Sequence, residues 1–326
     1  MTKPRVFVTR QLPIKDWKAI EALAVVEIWE DTLPPPAQVL RKKMAGLDAL
    51  VCLLSDPIDA QSIEISGASL KVISQVAVGF DNIDIAAATR QGIPVGNTPG
   101  VLTETTADFT FALLLTAARR IVEGQQFVKA GKWQTWSPSL LMGRDIHGAT
   151  LGIIGFGRIG QAVAKRAHGF DMRVIYYSPS TDPDIGRQYG AENCSLEVVL
   201  CESDFISLHA PLTPETHLLI STEQLNAMKP TCVLINTARG EIIDSPALYQ
   251  ALYTKTIAFA ALDVTDPEPV AADDPLLSLD NCLILPHMAS SSESTRIKMA
   301  EMALENLTAG LQGKQLPYCV NPEVYA

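Results

Sequence analysis

Residues 150–178, TLGIIGFGRIGQAVAKRAHGFDMRVIYYS, decide the fold. LGIIG is an apolar run of the length of a buried parallel strand, and it leads into Gly155, Gly157 and Gly160 in the spacing G-x-G-x-x-G. A helical pattern follows at once, with Ile159, Val163, Ala167 and Phe170 on one face. A second apolar run, RVIYY, then closes a strand, turn, helix and strand unit. Each glycine has its own physical duty: the first permits a tight turn, the second lets backbone approach a pyrophosphate, and the third lets helix pack on strand. Phosphate then rests on a helix N-terminus, favoured by free N–H groups and the helix dipole. Taken alone the glycine pattern is weak, because a ligand-free strand-to-helix turn produces it too. In this complete context it points to a dinucleotide site.

On the N-terminal side, residues 5–10, 22–30, 47–56 and 70–81 are short apolar runs that end in polar or glycine-bearing turns, with helical patterns between them. On the C-terminal side the strand-like runs VIYYS, DFISLHA, CVLINTARG, IAFAALDV and CLILPHMAS recur with helical or looped connections. Strands alternating with helices imply parallel sheets, and the expected class is α/β with two doubly wound parallel-sheet domains. Pro99 and Gly100 mark a hinge. The last helical pattern, SSESTRIKMAEMALENLTAGLQ, carries Ile297, Met299, Ala300 and Leu304 on its inward face. If it returns to the N-terminal part, a Rossmann cofactor domain at 101–289 is inserted in a discontinuous substrate domain of residues 1–100 and 290–326. Ligands of such sheets bind outside the carboxyl ends of the strands. His209, Thr237, Arg239, Asp263, Glu268 and His287 all follow strand-like runs there, and so do Leu53, Leu54 and Ser55, and Val78 and Gly79, in the first domain.

With 326 residues the chain exceeds the ~250–300 at which single cores stop growing. Apolar residues make up 47% and charged ones 19%, as in an ordinary globular α/β enzyme. A net charge of −10, with no basic run interleaved with aromatics, argues against nucleic acid as a partner. The six cysteines show neither C-x-x-C pairs nor metal-ligand spacing, so no metal is expected. No stretch approaches the ~18 apolar residues of a membrane span, and the N-terminal apolar patch is too short for a signal segment, so no membrane association and a cytoplasmic location are expected. Trp133 and Trp136 lie in a proline- and glycine-rich stretch, where they serve either a subunit contact or a cap on the domain's own core.

The glycine motif, NTARGEIID, ALDVTDPEPV and LPHMASSS stand in the order and spacing of one family. The chain resembles the D-isomer-specific 2-hydroxyacid dehydrogenases over nearly its whole length, including HAPLTPETHLLI, VGFDNID and VGNTPGVLTETTAD. Within that family it is most similar to glyoxylate/hydroxypyruvate reductases. The resemblance implies reduction of a small 2-oxo acid by a nicotinamide cofactor, with catalytic roles for Arg239, Glu268 and His287. An arginine fork suits a carboxylate beside a carbonyl. An imidazolium is the natural acid for the oxyanion, and a carboxylate on its ring stabilises the charged form. The resemblance further implies that Leu54, Ser55, Val78 and Gly79, with Arg239 and His287, hold the substrate. It places Thr106, Gly155, Gly157, Arg158, Ile159, Gly160, Ser178, His209, Pro211, Thr216, Thr237, Asp263 and Ala289 on the cofactor, Asp263 at the nicotinamide carboxamide. His147, His168 and His217 read as structural.

Two departures and two rivals complete the reading. The motif after the catalytic histidine usually reads H-I-G-S; here it is HMAS, and if that glycine needs φ > 0, Ala289 costs about 1 kcal/mol or more. NAD-specific enzymes end the second strand of the glycine unit in an acid; here Ser178 stands there, followed by Pro179, so NADPH is preferred and NADH remains usable. The rivals are a 3-phosphoglycerate dehydrogenase and a dinucleotide-sensing corepressor of the same fold. The absence of a long tail and the retention of all three catalytic residue types disfavour the corepressor. By resemblance the Trp133–Trp136 loop reaches a neighbouring subunit, so a homodimer is expected.

Overall fold

A computed structural model of the chain describes residues 3–14 and 16–326. These form two compact units, one made of the described residues up to Leu102 together with Ser291–Ala326, the other of Thr103–Ser290.

The first unit is built on five parallel strands, β1 (Arg5–Val8), β2 (Val25–Ile28), β3 (Ala49–Cys52), β4 (Val72–Gln75) and β5 (Val95–Gly96), in the order β2-β1-β3-β4-β5. Successive side chains of a strand point to opposite faces. Accordingly Phe7, Leu50, Cys52 and Ile73 enter one core cluster and Val6, Val8, Ala49, Val51 and Val72 the other. Both faces are covered by helices, which is why these strands read as unbroken apolar runs.

Helix Glu293–Leu311 supplies much of one cover, with Met299, Ala300, Ala303 and Leu307 buried against the sheet. Ile297 and Leu304, expected on that inward face, are only half-buried, because the contact row follows residues 299, 303, 307 and 310. Gly310 lets the helix lie close: a Cβ there would stand 2.4 Å from Val72 Cβ. Ser74 Oγ donates to the Ala303 carbonyl at 2.7 Å. Beyond the helix, fully buried Asn321 accepts from Val95 N–H at 2.8 Å and donates to Ile93 O at 3.0 Å. The C-terminal segment is thus an internal part of this unit.

The second unit carries seven parallel strands, β6 (Thr150–Ile154), β7 (Arg173–Tyr177), β8 (Ala191–Asn193), β9 (Phe205–Leu208), β10 (Val233–Asn236), β11 (Phe259–Leu262) and β12 (Cys282–Ile284). Their order is β12-β11-β10-β9-β6-β7-β8. The chain runs outward from β6 to β8 and then returns to β9 on the other side of β6, so the direction of winding switches between β6 and β9. Leu151, Ile153, Phe205, Val233 and Ile235 pack into one face and Ile154, Ile206, Leu208 and Leu234 into the other. Helix Thr103–Ala118 packs on the first of these faces through Phe111, Leu114 and Ala118, alongside Val163 and Ala167 of helix Arg158–Ala167.

Trp133 and Trp136 are 61% and 78% exposed, which removes the alternative that they cap their own core. Ile121, Val128 and Met142 are exposed in the same part of the chain. No helix among the described residues is long and apolar enough to cross a membrane.

Gly310→Ala tests the helix contact on the first sheet. Overpacking costs about 1–3 kcal/mol, against roughly 1 kcal/mol gained by alanine in a helix, so a net loss of stability is expected by denaturant unfolding.

Candidate active site

Because all seven strands of the second unit are parallel, their carboxyl ends share one edge. Along it, from β12 to β7, stand His287, then Asp263 and Glu268, then Thr237 and Arg239, then His209, then the glycine turn, then Ser178. Residues far apart in sequence are thereby arranged in a row.

The three glycines differ in what holds them. Gly155 has φ +91, and a Cβ there would lie 2.5 Å from Ala210 N, so the turn leaving β6 touches the segment leaving β9. At Gly160 a Cβ would meet the Gly155 carbonyl at 2.4 Å, which sets the close approach of helix to turn. Gly157 meets nothing within 4 Å and has an ordinary φ of −73, so neither clash nor backbone strain within the protein calls for glycine there. Gly157 caps helix Arg158–Ala167 without a side-chain bond, which leaves the first N–H groups of that helix for an anion. Open space over uncapped N–H groups is what a bound pyrophosphate requires. Arg158 is exposed beside it, and Ile159 is half-buried against the core.

At the β7 end, buried Ser178 shares a hydrogen bond of 2.8 Å with Thr181 Oγ1, which in turn donates to the Phe156 carbonyl of the glycine turn at 3.4 Å. No carboxylate stands at this strand end. After β9, desolvation pushes the His209 imidazole down to about 3, and its Nε2 lies 2.8 Å from Ser207 Oγ, so the ring is neutral. The next loop closes on itself through Thr216, whose hydroxyl donates to the Pro211 carbonyl at 2.6 Å and accepts from Thr213 N–H at 2.8 Å. Buried Thr237 lies 3.1 Å, oxygen to oxygen, from Thr110, whose hydroxyl also donates to Thr106 O.

Arg239 sits in a turn that sequence reasoning did not explain. Asn236, fully buried at the end of β10, accepts from Ala238 N–H at 2.9 Å and donates to Arg239 O at 2.8 Å. The guanidinium Nη1 donates to Ala238 O at 2.7 Å. Next to it, a Cβ on Gly240 would stand 2.0 Å from the Thr265 carbonyl, so this turn lies directly against the loop that carries Glu268.

His287 Nδ1 and Glu268 Oε1 are 2.6 Å apart. Both side chains are partly exposed, His287 at 22% and Glu268 at 35%. The backbone at His287 is left-handed, with φ +50. Asp263, 1% exposed, holds that turn: one carboxylate oxygen accepts from Met288 N–H at 2.8 Å and the other from Ala289 N–H at 2.7 Å, while its carbonyl accepts from His287 N–H at 2.9 Å. Burial pushes the Asp263 carboxyl upward, and the two N–H bonds oppose that shift. The expected cost of alanine in HMAS does not arise. Left-handed backbone falls on His287, and Ala289 is buried without positive φ.

In the first unit, the loops after β3 and β4 contain Leu54 and Ser55, and Val78 and Gly79. Their N–H groups donate to no described residue, while several of the neighbouring carbonyls are engaged from below. Of the supporting residues, Asn236 and Gly240 lie in NTARGEIID and Asn82 in VGFDNID, but no sequence signal assigned any of them, or Gln75, a role of its own.

A family model described as the NAD-binding domain of D-isomer specific 2-hydroxyacid dehydrogenases matches residues 111–289. A glyoxylate reductase of Korarchaeum cryptofilum is 51% identical across 99% of this chain and 97% of its own length. One from Thermococcus litoralis is 48% identical across 99% and 98%. Among solved structures, the TT0316 protein of Thermus thermophilus superposes with a TM-score of 0.89 at 47% identity, covering 97% of this chain and 99% of that one.

The glycine geometry separates binding from folding. Gly157→Ala is expected to cost at most about 1 kcal/mol of stability yet weaken dinucleotide binding in a fluorescence titration. Gly155→Ala, at positive φ against backbone, is expected to destabilise the fold by more than that.

Proposed function

The chain belongs to the D-isomer specific 2-hydroxyacid dehydrogenases, and from that premise we propose that it reduces glyoxylate and hydroxypyruvate to glycolate and D-glycerate. It is an oxidoreductase that uses a nicotinamide dinucleotide. The observation that carries the reading is the 2.6 Å contact between His287 Nδ1 and Glu268 Oε1, in a chain 51% identical to a glyoxylate reductase. With Nδ1–H donated to the carboxylate, Nε2 is the ring nitrogen that delivers a proton. When bound, the reduced nicotinamide supplies a hydride to the carbonyl carbon. His287 gives its proton to the carbonyl oxygen as negative charge gathers there, and Glu268 stabilises the ring before that transfer. In the oxidative direction the neutral ring takes the proton back. Arg239 presents planar donors suited to the substrate's carboxylate and carbonyl. In the first unit, Val78 and Gly79, with the turn at Leu54 and Ser55, are read as offering backbone N–H groups to a carboxylate. Along the other strand ends, the Gly155–Gly160 turn with Arg158, Ile159 and Thr106 would hold the pyrophosphate. Thr237, Asp263 and Ala289 would hold the nicotinamide end, and Ser178, His209, Pro211 and Thr216 the adenosine end.

His287→Ala is expected to lower kcat by ~10²–10⁴-fold, the usual cost of losing a positioned acid. Steady-state turnover of glyoxylate and hydroxypyruvate checks this: a wild-type protein inactive on both acids overturns the function, and near-normal kcat in the variant overturns the role.

NADPH is the preferred dinucleotide, because a buried serine at the β7 end does not repel a 2′-phosphate as a carboxylate would. The preference is moderate, since Pro179 occupies the position where an arginine would pair with that phosphate. Ser178→Asp is expected to move the kcat/KM ratio towards NADH, and an unchanged ratio would show that this residue does not meet the ribose.

A homodimer follows from the exposed Trp133 and Trp136 and the apolar side chains of Ile121, Val128 and Met142 near them in the chain. Light scattering at micromolar concentration is expected to give twice the single-chain mass; the single-chain mass refutes it.

A further inference from the structure

We propose that Asn82 is a positioning residue for substrate carboxylate recognition, because its carboxamide ties the turn after β3 to the turn after β4; this rests on the reading of those turns as the carboxylate site. Asn82 Nδ2 donates to the Leu53 carbonyl at 3.0 Å and to the Asp56 carbonyl at 2.8 Å. Its Oδ1 accepts from Gln75 Nε2 at 2.7 Å, and the same Gln75 nitrogen donates to the Gly79 carbonyl at 3.2 Å. Only one orientation of the Asn82 amide satisfies two carbonyls and one N–H donor, so its assignment is unambiguous.

A trans peptide holds its C=O and the following N–H in one plane, pointing in opposite directions. Fixing a carbonyl therefore aims the next N–H. The bond from Asn82 to Leu53 O turns the Leu54 N–H away from the interior. By the same logic Thr98 N–H, donating to Ala77 O at 2.9 Å, aims the Val78 N–H, and Asn97 Nδ2, donating to Val78 O at 2.8 Å, aims that of Gly79. Three N–H groups thus owe their directions to bonds made on the far sides of their own peptides. Asn82 is the side chain that bonds both turns, the first directly and the second through fully buried Gln75. Its own carbonyl accepts from Ile58 N–H at 2.9 Å, which anchors it from behind. Asp56, fully buried, completes the first turn by accepting from Leu53 N–H at 2.8 Å.

Asn82→Asp keeps the shape but sets a carboxylate oxygen against two carbonyls, and Asn82→Ala removes the tie outright. KM for glyoxylate is expected to rise about tenfold or more in either variant that folds. The dissociation constant for NADPH, read by fluorescence titration, is expected to stay within about twofold of wild type, because the glycine turn belongs to the other unit. Should the aspartate variant fail to fold, the alanine variant and Gln75→Ala carry the same test through the second half of the tie. An unchanged KM in the folded variants, or an NADPH affinity that falls as far as KM rises, overturns the proposal. Failure of the function itself would look different, since wild-type protein would then show no glyoxylate turnover.

Discussion

The carboxylate of Asp263, buried at the end of β11, accepts the N–H groups of Met288 and Ala289 and so shapes the turn on which His287 stands. A left-handed backbone costs a non-glycine residue roughly 1–2 kcal/mol, while each hydrogen bond to a charged group contributes about 1.5–3 kcal/mol. Two such bonds outweigh the strain. Glu268 can then meet the imidazole at 2.6 Å because the ring is held by its backbone as well as by its partner. Were the turn to relax to an ordinary conformation, the side chain would leave that position even with every residue type unchanged.

This arrangement depends in turn on parallel strands. β10, β11 and β12 are neighbours in the sheet, so Arg239, Asp263 with Glu268, and His287 emerge side by side although they span almost fifty positions in the chain. Gly240 brings the first two loops together, since nothing larger fits against Thr265. Asn236 closes the Arg239 turn from within. Arg239, Glu268 and His287 are therefore carried on short loops, two of which are shaped by the buried side chains of Asn236 and Asp263.

Much of this architecture was legible beforehand. Both parallel sheets announce themselves as apolar runs, since a strand covered on both faces has no polar side to show. The glycine spacing located the β6 turn, and ordered motifs singled out Arg239, Glu268 and His287. What escaped the sequence is the layer beneath. Only the three-dimensional pairing reveals that Asn236 spends its carboxamide on backbone, and Asn82 on two backbone carbonyls and the Gln75 side chain. The substitution of alanine in HMAS invited concern about backbone strain, yet the left-handed backbone lies two residues earlier, on His287. The exposure of Trp133 and Trp136 was also hidden, because composition cannot separate a core cap from an exposed surface.

The same distinction between spacing and support explains why three glycines in one motif are not interchangeable. Gly155 and Gly160 are required by the protein itself: one would collide with the segment leaving β9, the other with the turn's own carbonyl. Gly157 alone faces open space with an unstrained backbone. A glycine with no internal reason leaves space open, and the uncapped helix start beneath it supplies the donors an anion would meet. The turns after β3 and β4 in the first unit obey a parallel rule, in which the carbonyls of Leu53, Ala77 and Val78 are bonded and so set the direction of the N–H on the other side of each peptide. In both units neutral backbone N–H groups are oriented by hydrogen bonds or packing made behind them, not by charged side chains at their own positions.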